Sequence, residues 1–127
     1  MDSGKRKTEN GRRDILREKS FRFALRIIKL YKFLVAEKRE SVMSKQVLRS
    51  GTSIGANIVE ASQAQSKADF IHKLSISLKE AFETQYWIEL LREAEYLSSD
   101  QGHSLLQDCQ ELQKILTISI KTAKARK

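Results

Sequence analysis

The chain has 127 residues, no proline, five glycines and a formal net charge of +8. That length fits one domain with a single core, and the absence of proline favours long helices over a turn-rich fold. No apolar run approaches the roughly 18 residues a membrane span needs, and the single cysteine, Cys109, excludes an internal disulfide framework and fits a reducing, cytoplasmic setting.

Residues 1–14, MDSGKRKTENGRRD, are polar and show no periodicity. They are expected to form a flexible basic arm, and they lack the apolar segment of a secretory signal. A helical pattern follows over residues 15–38. At about 100° per residue, Phe21, Ala24, Leu25, Ile28, Tyr31 and Val35 make one stripe, with Phe23, Ile27, Leu30 and Leu34 a second beside it. Together they span roughly 220°, against the ~100° a surface helix of a small bundle needs. The surplus stripe predicts a subunit interface. Only Arg22, Arg26 and Lys29 are left as a clearly polar strip, with Phe33 lying within it.

The second helix is expected over residues 43–64, with Val47, Leu48, Ile54, Ile58 and Ala61 on its apolar side. Ser66 and Asp69 form an N-cap pair opening a third helix over 67–97. Its pattern places Phe70, Ile71, Leu74, Leu78, Ala81, Phe82 and Ile88 on one face, with Ile76, Trp87 and Leu91 on another. Ser98 and Gln101 read as a capping box for a fourth helix over 99–125, whose apolar positions are Leu105, Cys109, Leu112, Ile115, Leu116, Ile118 and Ala123. Four long helices with short links predict an all-α, antiparallel up-down-up-down four-helix bundle over residues 15–127.

The stretch SGTSIGANIVEA, residues 50–61, invites a phosphate-loop reading that its spacing refuses. A phosphate loop needs Lys-Ser or Lys-Thr after its last glycine, whereas Gly55 is followed by Ala56 and Asn57. Gly51 and Gly55 are instead one helical face. Each costs about 1 kcal/mol against alanine in a helix, so close approach of a neighbour is expected there, across which Trp87 or Tyr86 can lie flat. Arg49, Ser53, Asn57 and Glu60 line up beside them as a polar stripe. This set of six is read as a structural motif. If buried, the stripe needs charged partners for Arg49 and Glu60 from elsewhere.

The strings SKQVLRSGTSIGANIVEA, SKADFIHKLSISLKEAFETQYWIELL and KILTISIKTAK, with LYKFL in the first helix, resemble the bacterial four-helix-bundle family associated with intervening sequences of 23S ribosomal RNA genes. The resemblance covers about residues 18–125. It implies a homopentameric ring of up-and-down bundles. Relatives include accessory variability proteins of diversity-generating retroelements, which bind nucleic acid and a partner reverse transcriptase.

Catalytic chemistry is not signalled. His72 and His103 fall on separate helices, no cluster has metal-ligand spacing, and Cys109 sits on an apolar stripe without a neighbouring base. Neither a metal nor a cofactor is expected, and the chain is not expected to be an enzyme. The charge is distributed unevenly: residues 66–113 carry four basic and nine acidic side chains, and residues 114–127 five basic and none acidic. A basic surplus of this kind favours polyanions. Arg22, Arg26, Lys29, Lys121, Lys124, Arg126 and Lys127 are the candidate contacts to RNA or DNA, to which Lys5, Arg6, Lys7, Arg12 and Arg13 can add. The alternative is a protein–protein adaptor, docking a basic partner on the acidic face of the third helix.

Overall fold

With no proline to interrupt them, the apolar repeats propagate into four α-helices: α1 Gly4–Glu37, α2 Met43–Ala61, α3 Lys67–Glu93 and α4 Ser99–Ala125. The computed structural model describes the backbone of residues 4–126 and the side chains of residues 11–126, and no strand occurs among them. Each helix packs on the next in the chain, and α4 returns to α1. Arg12 meets Thr122, Lys19 meets Glu111 and Arg26 meets Asp108 across α1 and α4.

The expected boundary at Ile15 is not a boundary. The backbone is helical from Gly4, and no proline interrupts it. Its Arg12–Arg13 turn is also tied down, Arg12 donating to Thr122 Oγ1 and the Arg13 guanidinium lying 5.1 Å from the Phe70 ring centroid. At its other end α1 stops where Arg39 takes φ 53° and the Glu40 N–H returns to the Leu34 carbonyl at 2.9 Å.

Glu40 then opens α2. Val42, at the N-cap position, offers no side-chain cap, and the Glu40 carboxylate instead accepts the N–H groups of Val42, Met43 and Ser44 at 3.0, 2.9 and 2.7 Å. Burial raises the Glu40 pKa, but these donors outweigh it and hold the carboxyl below the usual glutamate value. The later caps match the sequence reading. Ser66 accepts the Asp69 N–H, and Ser98 and Gln101 make both bonds of a capping box. α2 stops at Ala61 rather than Ala64, its last N–H groups closing into tight turns onto Ile58, Val59 and Glu60 carbonyls. α3 stops at Glu93 rather than Leu97, because Glu95 turns to φ 68° and the Tyr96 N–H reaches back to Leu91.

Phe23, Ile27, Leu30 and Leu34 of α1 are buried, whereas Phe21, Leu25 and Val35 of its other stripe are exposed. On α3 the buried line is Leu74, Ser77, Ala81, Thr84, Ile88 and Leu91. This corrects the expected face: Leu91 belongs to the core and Phe82, 54% exposed, does not. Two small hydroxyl residues take the core positions that an apolar count assigns to bulkier neighbours. Both are satisfied across to α2, Ser77 donating to the Ile54 carbonyl and Thr84 to Ser50 Oγ. On α4, Leu105, Cys109, Leu112 and Leu116 are buried as expected, joined by Leu106 and Ile120, while Ile118 faces out and Ala123 is half-buried.

Candidate nucleic-acid interface

The six-residue motif of α2 resolves into two faces. A Cβ on Gly51 would meet Ile27 Cγ1 at 2.8 Å, and one on Gly55 would meet Ser20 Oγ at 3.2 Å. The close neighbour is therefore α1, not the expected Trp87 or Tyr86 of α3. The polar stripe turns to α3 instead. Arg49 pairs with Glu80 at 3.3 Å and with Glu83, whose carboxylate also accepts the Trp87 indole N–H at 3.0 Å. Glu60 accepts from Lys73 at 2.9 Å. Ser53 and Asn57 bond back to the carbonyls of Arg49 and Ser53 within their own helix. The stripe is a half-exposed ionic seam, and α3 supplies the charged partners for Arg49 and Glu60.

Cys109 lies in the core, its thiol donating to the Ala81 carbonyl at 3.2 Å. Burial pushes its pKa up to about 12, so the reactive thiolate is disfavoured. No group of three or more His, Cys, Asp and Glu side chains among the described residues is placed to hold a metal ion.

The predicted basic contacts are split by the fold. Arg22, Arg26 and Lys29 share one side of α1, but the first two are answered: Arg22 pairs with Glu18 one turn earlier, and Arg26 with Asp108 at 2.7 Å and with Ser104. Lys29 is exposed, at the rim of a groove of about 360 Å³ that also holds Arg26, Phe33 and Leu105. Phe33 is half-buried against the core with Lys38 over its ring at 5.8 Å, so it is not presented for base stacking. Lys121 and Lys124 are exposed on α4. Arg126, extended at the C-cap of that helix, lines a cleft with Arg12, Arg13 and Lys67. Lys127 lies outside the described residues, as do the side chains of Lys5, Arg6 and Lys7.

At 1.5 Å rise per residue, the Arg26–Lys29 turn and the Arg12–Arg13 turn are separated by roughly 20–25 Å along α1. The basic residues therefore do not converge on one patch of the protomer. The cluster at the Arg12 end is hidden in the sequence because its members come from three helices. Lys67 in particular is, in one dimension, only the first residue of an acidic helix.

Fold and surface together define an all-α four-helix protein with separate basic areas and an ionic seam between its second and third helices. Residues 13–118 match the family model described as 23S rRNA-intervening sequence protein, and the chain belongs to that family. It is similar to a crystal structure of a protein of unknown function from the S23 ribosomal protein family of Bacteroides thetaiotaomicron VPI-5482. The two share 58% sequence identity and a TM-score of 0.86, over 87% of this chain and 98% of that one. No protein with a curated description matches the chain. Among the described residues, no helix is long and apolar enough to cross a membrane.

Proposed function

We propose that this protein is a non-catalytic, antiparallel up-down-up-down bundle that self-assembles in the cytoplasm and binds RNA or DNA through phosphate contacts. The observation that carries the nucleic-acid reading is where basic charge goes unanswered. Lys29, Lys121 and Lys124, on α1 and α4, are exposed and have no ion pair among the described residues, as are Lys45 of α2 and Lys79 of α3, whereas Arg49 and Lys73 of the α2–α3 seam are paired. Unpaired cations on a chain of net charge +8 attract a polyanion mainly through counterion release, with little sequence preference. The family's description gives RNA the first trial.

The antiparallel topology is supported by the falling partner numbers across α1 and α4. Self-association is supported by Phe21 and Leu25 of α1, 66% and 47% exposed, beside a groove of about 440 Å³ that reaches Gly55 and Val59 of α2. The family resemblance supports a homopentamer. A protein-adaptor role is the second reading, favoured by α3, which leaves Phe82 and Tyr86 exposed on a helix rich in glutamate.

Fluorescence anisotropy with labelled structured RNA and duplex DNA, together with native mass spectrometry, tests both parts. The expected result is a homo-oligomer whose binding weakens steeply with salt. Absence of binding at low salt would remove the nucleic-acid reading and leave the adaptor.

A further inference from the structure

Phe82, Tyr86 and Leu90 recur one turn apart on α3, and all three are exposed. At about 100° per residue they lie opposite the buried line of Ala81, Thr84, Ile88 and Leu91, so they form a ridge pointing out of the bundle. At 1.5 Å rise per residue the ridge is about 12 Å long. It is also braced. The Tyr86 ring rests edge-on against Trp87 with centroids 5.1 Å apart, and the Trp87 indole N–H is held by Glu83, itself paired with Arg49. Little side-chain entropy is left for that ring to lose on binding. Glu83, Glu89 and Glu93 border the ridge. Of the cations between residues 79 and 93, Lys79 shares the ridge and Arg92 turns away toward Gly102 of α4.

The α1–α2 groove has the complementary character. Its volume is about 440 Å³, with Phe21 and Val59 exposed beside the small residues Ala24, Gly55 and Ala56. Three small residues, one of them bare backbone, leave a notch that an aromatic ring can enter. Its two walls, residues 17–24 of α1 and 52–59 of α2, each run for roughly 10 Å, close to the length of the ridge. Glu18 is the only acidic side chain in the lining and is paired with Arg22, which leaves Arg17 exposed without an ion pair among the described residues.

Among the described residues α1 packs on α2 and α4 but not on α3, so groove and ridge face away from each other. No protomer can bring its own ridge to its own groove. An apolar ridge bordered by carboxylates and an apolar groove bordered by a free guanidinium match in length, polarity and sign, and a second copy of the chain supplies the missing half of each.

We propose that the α3 ridge of one copy seats in the α1–α2 groove of the next, so that copies associate head to tail. This rests on the self-association reading above and gives it a second surface, the one otherwise left to a protein adaptor. A contact between two different faces leaves one of each free at every step, and the series ends only when a ring closes.

The test is sedimentation velocity with native mass spectrometry on the full chain and on two double variants. Phe82→Gln with Tyr86→Gln removes the ridge, and Ala56→Glu with Val59→Glu gives the groove the sign of the ridge. All of these positions are exposed, so both variants should keep the helical circular dichroism of the parent. Each alone should self-associate at least about thirtyfold more weakly, as for loss of a hot-spot aromatic. Mixed in equal amounts they should form a dimer with one copy of each, since each keeps the half that the other has lost. In a face-to-face contact, one of the two variants would assemble on its own. Either variant assembling like the parent, or a mixture that stays monomeric, overturns the pairing. With an oligomeric parent that result leaves self-association standing on another surface, whereas a monomeric parent removes both.

Discussion

The α2–α3 and α1–α4 contacts handle polar residues in opposite ways. Between α2 and α3 polarity is answered internally: Arg49 by Glu80 and Glu83, Glu60 by Lys73, Ser50 by Thr84, Ser77 by a backbone carbonyl. Between α1 and α4 the pairs Lys19–Glu111 and Arg26–Asp108 use up only part of the basic charge, and Lys29, Lys121 and Lys124 remain exposed. A closed network contributes to the uniqueness of the fold. An open surplus of one sign contributes little to folding and is available to a partner. Substitutions in the first region should therefore change stability, and those in the second should change binding.

The largest expected effect comes from forcing α2 away from α1. Gly51→Val places branched carbons against Ile27 and should destabilise by about 3 kcal/mol, within the range of core overpacking, measured by urea unfolding. An unfolding midpoint equal to that of the parent would mean the two helices are not held at this spacing. Within the seam, Thr84→Val keeps the shape but removes the hydroxyl that reaches Ser50 and the Glu80 carbonyl. It should cost about 1–2 kcal/mol, and Ser50→Ala in combination should cost less than the two single losses together.

Glu40→Gln tests the connection between the two regions and should cost about 1 kcal/mol, as for loss of a helix cap. The pH dependence has a definite sign. The folded-state pKa of Glu40 is depressed, so its contribution is complete above the ordinary glutamate value and is lost as pH falls through the lower folded value. The Gln variant should therefore show a shallower acid loss of stability, read by following the unfolding midpoint downward in pH. The smallest stability effect is expected from Arg26→Gln. Its guanidinium pair is more than a third exposed, and such pairs contribute at most about 1 kcal/mol and often nothing measurable. A large loss there would erase the contrast between the regions.

What is readable in the sequence follows the range of the interactions. The caps at Ser66–Asp69 and Ser98–Gln101 are local and legible, as are the number of helices and the apolar surplus of α1. The register of α3 is not, because Ser77 and Thr84 occupy core positions by bonding to α2, which no count of apolar residues detects. Spacing points Gly51 toward the wrong helix, since it reports close approach but not by what. Glu40 reads as part of a polar connection, yet it caps α2 from outside the helix, a role Val42 conceals. Of the basic candidates, Arg22 and Arg26 are legible as charges and not as pairs. Lys67 is distant in sequence from Arg12 and only the fold brings them together.

The most direct measurement is the salt dependence of RNA binding by two triple-substitution sets. One replaces Lys29, Lys121 and Lys124 with glutamine, and the other removes cations already held in ion pairs, with Arg22→Gln, Arg26→Gln and Lys73→Gln. The account predicts that the first set weakens binding and flattens the slope of log K against log salt by about one for each phosphate no longer neutralised. The second set should leave that slope unchanged. Equal effects from both sets, or no binding by the parent at low salt, would contradict it.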